Sequence, residues 1–489
     1  MRFKTQPYAH QLREFREHRT SPHRALFWQM RTGKTKTMID LACYNYFLGT
    51  IDAVVVVAPN GVHDNWVRRE LPAHAWPDAP LRAAAWSSMR SRDPEYRDEL
   101  KALMAHDGLA WFTMNEEGFT VKLAKAYVKR FVDRRRVLYI TDESQGFGTP
   151  GAKRTASARA LARKAPMTRI LSGTPLDNSP LKAYSQFELV EPRALGFATY
   201  SDFCKRYAEY EMVKGRRGKQ YPVLREYKNL DELKARMAEY TSVVLREDCE
   251  DMPNLVRSTR FYEPSELQME RYLQVLDNTL FELADGTLST FEGGVRGLKM
   301  QQILGGFFVG ADGSVEVFEE NPRLDALMAE LAASLARGKV IVWARFHMEI
   351  VQIAERLRRA GVEFVEYHGR VRGSAKAEAR ERFLADPSVR VFLGQPRAGG
   401  KGLNLSSART VLWYSYSYDA EERKQADERA TLIGQGDVDV VDVLASNWLP
   451  GRVGKLIDQH ILECLDDKSL VAEDLSRSGM QRYLGEMLA

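Results

Sequence analysis

The sequence predicts an α/β chain of two tandem lobes, each with its own parallel sheet, and helical insertions between the segments that carry chemistry. Three observations predict it. Short apolar runs of strand length alternate with segments of helical period along most of the 489 residues. The runs fall into two sets, residues 25–28, 53–57, 109–113, 137–141 and 169–171 in the first half, and 340–343, 362–365, 391–393, 410–413 and 438–443 in the second. Between the sets, from about residue 195 to 335, the chain is charged and reads as mostly helical with few strand runs. A hydrophobic content of 44% and a charged content of 28% are those of an ordinary globular protein with full cores.

Taken in order, residues 34–48 follow the first strand with apolar side chains at Met38, Ile39, Ala42, Cys43 and Tyr46, and Gly49 stops the helix. Residues 210–227 read as a hairpin around the basic turn KGRRGK at 214–219. A boundary is expected near Met252 and Pro253, where proline breaks the preceding helix. This gives a first lobe at 1–255 with a helical insertion at about 195–255, and a second lobe at 256–489 with one at about 262–335. In the second lobe residues 346–360 repeat the amphipathic pattern through Ile350, Ile353, Ala354 and Leu357, and Gly361 ends it. The cysteines Cys43, Cys204, Cys249 and Cys464 have no zinc-like spacing and read as reduced thiols. No apolar run is long enough to span a membrane, the first residues lack a signal-peptide stretch, and a cytoplasmic protein is expected. Net charge is only +5, so basic clusters at 122–136, 153–154 and 214–219 read either as solvated faces or as binding surfaces.

Three distant segments carry the chemistry. In FWQMRTGKTKTMI at 27–39, a strand runs through a Gly-Lys-Thr turn into a helix. Backbone amides of Arg31, Thr32 and Gly33 and the helix N-terminus suit a phosphate, Lys34 suits the β- and γ-phosphates, and Thr35 suits magnesium. Trp28 stands where such loops usually begin with glycine, and a plain loop ending in a helix cap is the competing reading. In VLYITDES at 137–144, Asp142 and Glu143 close a hydrophobic strand, where Asp142 suits a metal and Glu143 the orientation of an attacking water. In QADERATLIGQ at 425–435, Gln425 and Arg429 lie four apart and share a face of an expected helix. Arg429 suits the charge of a transferring phosphoryl group, or is an exposed, salt-bridged helical arginine. The glycines of AGGKGLNL at 398–405 permit close approach to phosphate, or form an ordinary tight turn, and His368 in YHGR is a loop histidine.

In this order the segments resemble the Swi/Snf ATPase family of helicase superfamily two, from about residue 5 to residue 475, nearest its compact bacterial and phage members and its annealing-helicase branch. PYAHQ at 7–11 is similar to the adenine-reading segment, with Gln11 as reader, and QMRTGKT, VVVVAPNGVHDNW, DESQ and LSGTPLDN to the first-lobe motifs. KMQQILGG, VIVWARF, YHGR, AGGKGLNL and QADERATLIGQ resemble the second-lobe series. The resemblance implies two RecA-like lobes, ATP and Mg²⁺ as cofactors, and a DNA-stimulated ATPase that translocates on double-stranded DNA as a monomer. It implies phosphate-backbone contacts at Pro59, Asn60, Lys153, Arg345, His368, Gly369, Gly400 and Asn404. Ser172, Gly173 and Thr174 would couple nucleotide state to DNA.

The chain departs from the family at three positions. Arg31 replaces a common glycine, Gln145 replaces a histidine while keeping its hydrogen-bonding ability, and Leu432 stands where a second arginine precedes Ile-Gly-Gln. Two rival readings follow: a strand-unwinding or annealing helicase, and an ATP-gated DNA-binding scaffold with little turnover.

Overall fold

The computed structural model describes residues 3–176, 179–214, 220–249, 252–284, 290–310, 312–399, 403–446 and 455–466. The chain divides into two compact units, Met1–Glu250 and Asp251–Ala489.

The first unit contains β1 (His23–Trp28), β2 (Ala53–Ala58), β3 (Leu81–Ala85), β4 (Leu109–Asn115), β5 (Val137–Asp142), β6 (Met167–Leu171), β7 (Ala208–Lys214), β8 (Gln220–Tyr227) and β9 (Thr241–Val244). Seven of them form a sheet in the order β3-β4-β2-β5-β6-β1-β9, with every neighbouring pair parallel. A parallel sheet is covered on both faces, so its central strands read as unbroken apolar runs. β2, Ala-Val-Val-Val-Val-Ala, is buried at every position. The parallel arrangement fixes the site. The segments that leave β1, β6 and β5 emerge from the same edge, and these three strands are immediate neighbours. β7 and β8 pair antiparallel as the expected hairpin, and residues 215–219 of its basic turn lie outside the described residues.

The second unit contains β10 (Leu255–Tyr262), β11 (Phe307–Val309), β12 (Val315–Val317), β13 (Lys339–Trp343), β14 (Phe364–Tyr367), β15 (Val391–Gly394), β16 (Ala408–Trp413) and β17 (Val438–Ala445). Its sheet runs β10-β17-β16-β13-β15-β14, again all parallel. Trp343 and Trp413 lie in its core, and Trp28 and Trp111 are buried in the first unit, as strand tryptophans should be. An ion pair, Arg323 Nη1 to Asp458 Oδ2 at 2.6 Å, is wholly buried here, and Gln301 Nε2 also donates to Asp458 at 3.1 Å. Two α/β lobes, each with its own parallel sheet, and helical additions between them in sequence are the architecture that the sequence predicts.

The middle of the chain corrects the expectation of few strands. β9 and β10 are sheet-edge strands, and β11 and β12 form a small antiparallel pair. β10, Leu-Val-Arg-Ser-Thr-Arg-Phe-Tyr, is mostly exposed, so it lacks the continuous apolar signature of a central strand. β3 escapes for the same reason: Leu-Arg-Ala-Ala-Ala buries only Ala84. The two expected helices are Lys34–Phe47 and His347–Arg359, and Gly49 and Gly361 beyond them take φ of 77° and 66°.

Candidate active site

The phosphate loop leaves β1 at Trp28 and enters the helix Lys34–Phe47 through Gly33, which caps it at φ 85°. The backbone angle calls for glycine there, and a Cβ on Gly33 would lie 1.9 Å from Gln11 Nε2 and push that amide aside. Arg31 takes φ 68°, a left-handed conformation that costs a non-glycine residue about 1–2 kcal/mol. The helix Ala9–His18 braces the loop. Gln11 Nε2 donates to Gly33 O at 3.1 Å, Gln11 Oε1 accepts from Tyr8 N at 2.9 Å, and His10 Nε2 lies 2.7 Å from Thr32 O. The expected adenine reader therefore spends its amide on the loop and on its own helix cap. Lys34 Nζ donates to Trp28 O at 2.7 Å and Gln29 O at 3.1 Å, and Thr35 lies in the first helical turn.

At the end of β5, two strands away, Asp142 is buried. Its Oδ2 accepts from Trp66 Nε1 at 3.0 Å and its Oδ1 from Glu143 N at 3.0 Å. Burial, then the neighbouring Glu143, push its carboxyl up to about 6, against the Trp66 bond and the Lys34 charge. Glu143 takes φ 52°, a second left-handed non-glycine residue at the sheet's carboxyl edge. Gln145 joins this segment to the end of β6. Its Nε2 donates to Glu143 Oε2 at 2.6 Å, and its Oε1 accepts from Ser172 Oγ at 2.7 Å. Ser172 Oγ accepts in turn from Thr174 N at 3.0 Å, and Ser172 N donates to Leu26 O of β1 at 3.1 Å. A Cβ on Gly173 would stand 3.3 Å from Met30 Cγ, so this turn packs directly against the phosphate loop. Lys34, Asp142, Glu143, Ser172, Gly173 and Thr174 are thus gathered at three adjacent strand ends.

The residues of the second unit are placed differently. The helix Ala420–Glu428 ends before Arg429, which is its C-cap and only 4% exposed. Arg429 Nη1 donates to Pro396 O at 3.0 Å, and the guanidinium lies 5.4 Å from the Trp343 ring centroid. Arg429 is therefore not the exposed arginine of the alternative reading, and Gln425, one turn earlier, is half-buried with its Nε2 donating to Glu421 Oε1 at 2.6 Å. The sheet beneath supplies the partners: Trp343 offers an aromatic face and the segment after β15 the Pro396 carbonyl. Leu432 is 45% exposed.

Among the expected backbone-contact residues, Asn60 and Lys153 are exposed and Pro59 is half-buried, Pro59 and Asn60 following β2 and Lys153 opening the helix Lys153–Ala162. Arg345 Nη1 instead donates inward to Gln301 Oε1 at 2.5 Å and Tyr416 O at 3.1 Å. His368 is buried with Nε2 3.1 Å from Glu366 Oε2, Gly369 N donates to Gln395 Oε1 at 3.2 Å, and Asn404 Oδ1 accepts from Ser406 N at 3.0 Å. Gly400 lies outside the described residues.

The model of the SNF2-related domain matches residues 17–304, and that of the helicase conserved C-terminal domain matches residues 322–434. The chain belongs to the SNF2-related family. An uncharacterised ATP-dependent helicase of Mycoplasma genitalium is 24% identical over 337 residues, covering 68% of this chain and 30% of that protein. The SWI/SNF-related matrix-associated actin-dependent regulator of chromatin subfamily A-like protein 1 of Drosophila melanogaster is 24% identical over 315 residues, covering 63% and 38%. The chain spans about a third of the length of these relatives. A Sulfolobus solfataricus SWI2/SNF2 ATPase core in complex with double-stranded DNA covers 99% of this chain and 97% of its own, at 18% identity and a TM-score of 0.43.

Within this SNF2-related site, sequence reasoning passed over His10 and Trp66 and treated Gln145 as a neutral replacement. Trp66 opens the π-helical turn Trp66–Glu70, and no local pattern announces that its indole reaches 76 positions along the chain to Asp142. Gln145 was recoverable, because DES-Gln keeps a donor and an acceptor where the family has histidine.

Proposed function

We propose that the chain is a DNA-stimulated ATP hydrolase that translocates on double-stranded DNA and remodels DNA or protein–DNA complexes. One observation carries it: the phosphate loop, Asp142–Glu143 and Ser172–Gly173–Thr174 stand at adjacent ends of β1, β5 and β6, with Gln145 linking Glu143 to Ser172. Membership of the SNF2-related family supports the same reading.

In this assignment Arg31, Thr32, Gly33 and Lys34 bind the phosphates, and Gln11 keeps the loop at the adenine end. The residues fit a magnesium ion, since the Thr35 hydroxyl and the Asp142 carboxylate are oxygen donors of the hard type it requires. A cation held there would offset the burial that raises the Asp142 carboxyl. Magnesium, when bound, neutralises phosphate charge. Glu143 orients and deprotonates the attacking water, and Gln145 passes its position to Ser172 and Thr174. Lys34 leaves the carbonyls of Trp28 and Gln29 for the phosphates. Arg429 and Gln425 are assigned to the nucleotide by the family likeness, and for this Arg429 must first release Pro396 and Trp343.

Asn60 and Lys153, both exposed, are the best supported of the DNA-backbone contacts; Pro59, Arg345, His368, Gly369, Gly400 and Asn404 follow from the family likeness. Backbone contacts give sequence-tolerant binding whose logarithm falls with log salt by roughly 0.9 per neutralised phosphate. The burial of Arg429 favours a second reading, an ATP-gated DNA clamp with little turnover.

ATP turnover measured on duplex, single-stranded and forked DNA and on RNA tests the proposal. Duplex-stimulated turnover that Lys34→Ala and Glu143→Gln abolish is expected, together with displacement of a triplex strand and no unwinding of a blunt duplex. Turnover that survives Lys34→Ala places the site elsewhere, and ATP binding without turnover on any nucleic acid selects the clamp.

A further inference from the structure

Two consecutive residues of the helix Ala9–His18 hold two consecutive carbonyls of the phosphate loop, Gln11 at Gly33 O and His10 at Thr32 O. In a trans peptide the C=O and the following N–H point in opposite directions. With Thr32 O drawn to the helix Ala9–His18, and Gly33 O shared between Gln11 and Thr37 N at 3.2 Å, the N–H groups of Gly33 and Lys34 turn to the other side of the loop. Donors turned the same way are what an anion cradle consists of.

His10 is set in place for this bond. It is 7% exposed, with its ring stacked on Tyr8 (centroids 6.1 Å apart, 11° between planes) and edge-on to Trp28 at 5.3 Å. A ring nitrogen 2.7 Å from a carbonyl oxygen must carry the hydrogen, so the bond assigns N–H to Nε2. Burial lowers the ring's pKa and so favours the neutral form, whose lone pair lies on Nδ1 when Nε2 carries the hydrogen. Cys249 Sγ lies 3.7 Å from Nδ1, at the end of the segment that leaves β9. That segment is itself tied to the loop, through Arg246 N donating to Gln29 Oε1 at 2.8 Å and Gln29 N donating to Val244 O at 2.9 Å.

We infer that His10 is a positioning residue of the nucleotide site. It fixes the Thr32–Gly33 peptide so that the loop amides face phosphate, and the Cys249 thiol packs against its other ring nitrogen. His10 does not itself touch the nucleotide. The inference rests on the proposed ATP site and assigns a residue beyond it.

The test uses the 489-residue chain with His10→Phe, which keeps an aromatic ring but has no donor, and His10→Gln, whose amide places N–H near the position of Nε2. Equilibrium binding of ATP, ADP and adenosine is measured beside KM, kcat and melting temperature. His10→Phe is expected to bind ATP and ADP about tenfold more weakly, as befits one buried hydrogen bond that aligns several amides, and to bind adenosine unchanged. KM should rise more than kcat falls, and His10→Gln should restore most of the affinity. Wild-type ADP affinity in His10→Phe overturns the inference, and so does an equal loss of ADP and adenosine, which a merely structural role would give. If His10→Phe does not fold, His10→Asn, whose amide stops short of Thr32 O, is compared with His10→Gln, and equal ADP affinities overturn the inference. Lys34→Ala separates the two levels. Turnover persisting in Lys34→Ala removes the ATP-site reading itself; turnover lost there with normal ADP binding in His10→Phe removes only the role of His10.

Discussion

Gln145 is the residue through which the proposed coupling can be broken with least damage to the fold. Its amide donates to Glu143 Oε2 at 2.6 Å and accepts from Ser172 Oγ at 2.7 Å, in a buried setting. Gln145→Leu keeps the volume and removes these bonds together with a longer one from Nε2 to Thr174 Oγ1 at 3.4 Å. The bond to the carboxylate is worth ~1.5–3 kcal/mol and the bond to serine ~1 kcal/mol, so about 3 kcal/mol of local anchoring is lost. β5 and β6 remain paired from Leu138↔Met167 to Asp142↔Leu171, so the sheet persists. If half of that anchoring is expressed in the DNA-activated step, turnover falls about tenfold, since 1.4 kcal/mol is a factor of ten in rate. Steady-state ATP turnover with and without saturating duplex DNA, with ATP affinity measured separately, reads this out. The stimulated rate should drop, ATP affinity should hold, and Gln145→His should recover the stimulation. Wild-type stimulation in Gln145→Leu, or an equal fall of basal and stimulated rates, would refute coupling through this bridge.

Glu349 sets a pH dependence on the second unit. Its carboxyl is wholly buried, accepts from Phe346 N at 3.0 Å and from Ser415 Oγ, and is pushed by burial up to about 7. A raised folded-state pKa gives stability that is whole below the unfolded value and is lost as pH rises to 7, here up to about 3 kcal/mol at 1.36 kcal/mol per unit. Glu349→Gln should therefore gain on wild type in urea midpoint between pH 5 and 8; a constant difference across that range would contradict the assignment. Asp458→Ala leaves Arg323 buried without its ionic partner and should cost about 3–5 kcal/mol in unfolding free energy, with a loss under about 1 kcal/mol counting against it. Leu432→Arg replaces a half-exposed side chain, so stability should move by less than about 0.5 kcal/mol. Its DNA-stimulated turnover should rise, and an unchanged rate would show that this position does not serve the phosphates.

Most of the scaffold and the centre of the site were legible in sequence because both are local. Central strands of a parallel sheet are buried on both faces, so runs such as Val54 to Val57 and Val137 to Ile140 announce themselves within a few residues. The phosphate loop is likewise one contiguous strand–turn–helix, and Asp142–Glu143 needs only its place at a strand end. The edge strands β3, β9 and β10 were not legible, since β10, for one, buries little of its length and its charges read as helix surface or loop. Tertiary structure decided every contact made across the fold. Trp66 to Asp142, His10 to Thr32 and Gln145 to Ser172 span loops that no periodicity encodes. It also decided the state of Arg429, since the sequence supplies the guanidinium and its spacing, whereas the Trp343 face and the Pro396 carbonyl that hold it lie 86 and 33 positions away along the chain. Hydrophobic pattern is a property of a few neighbouring residues, and a buried polar bond is a property of two distant strands brought to one edge. The sequence alone therefore determined which chemistry the chain carries, and the tertiary structure decided which of its polar groups are already engaged.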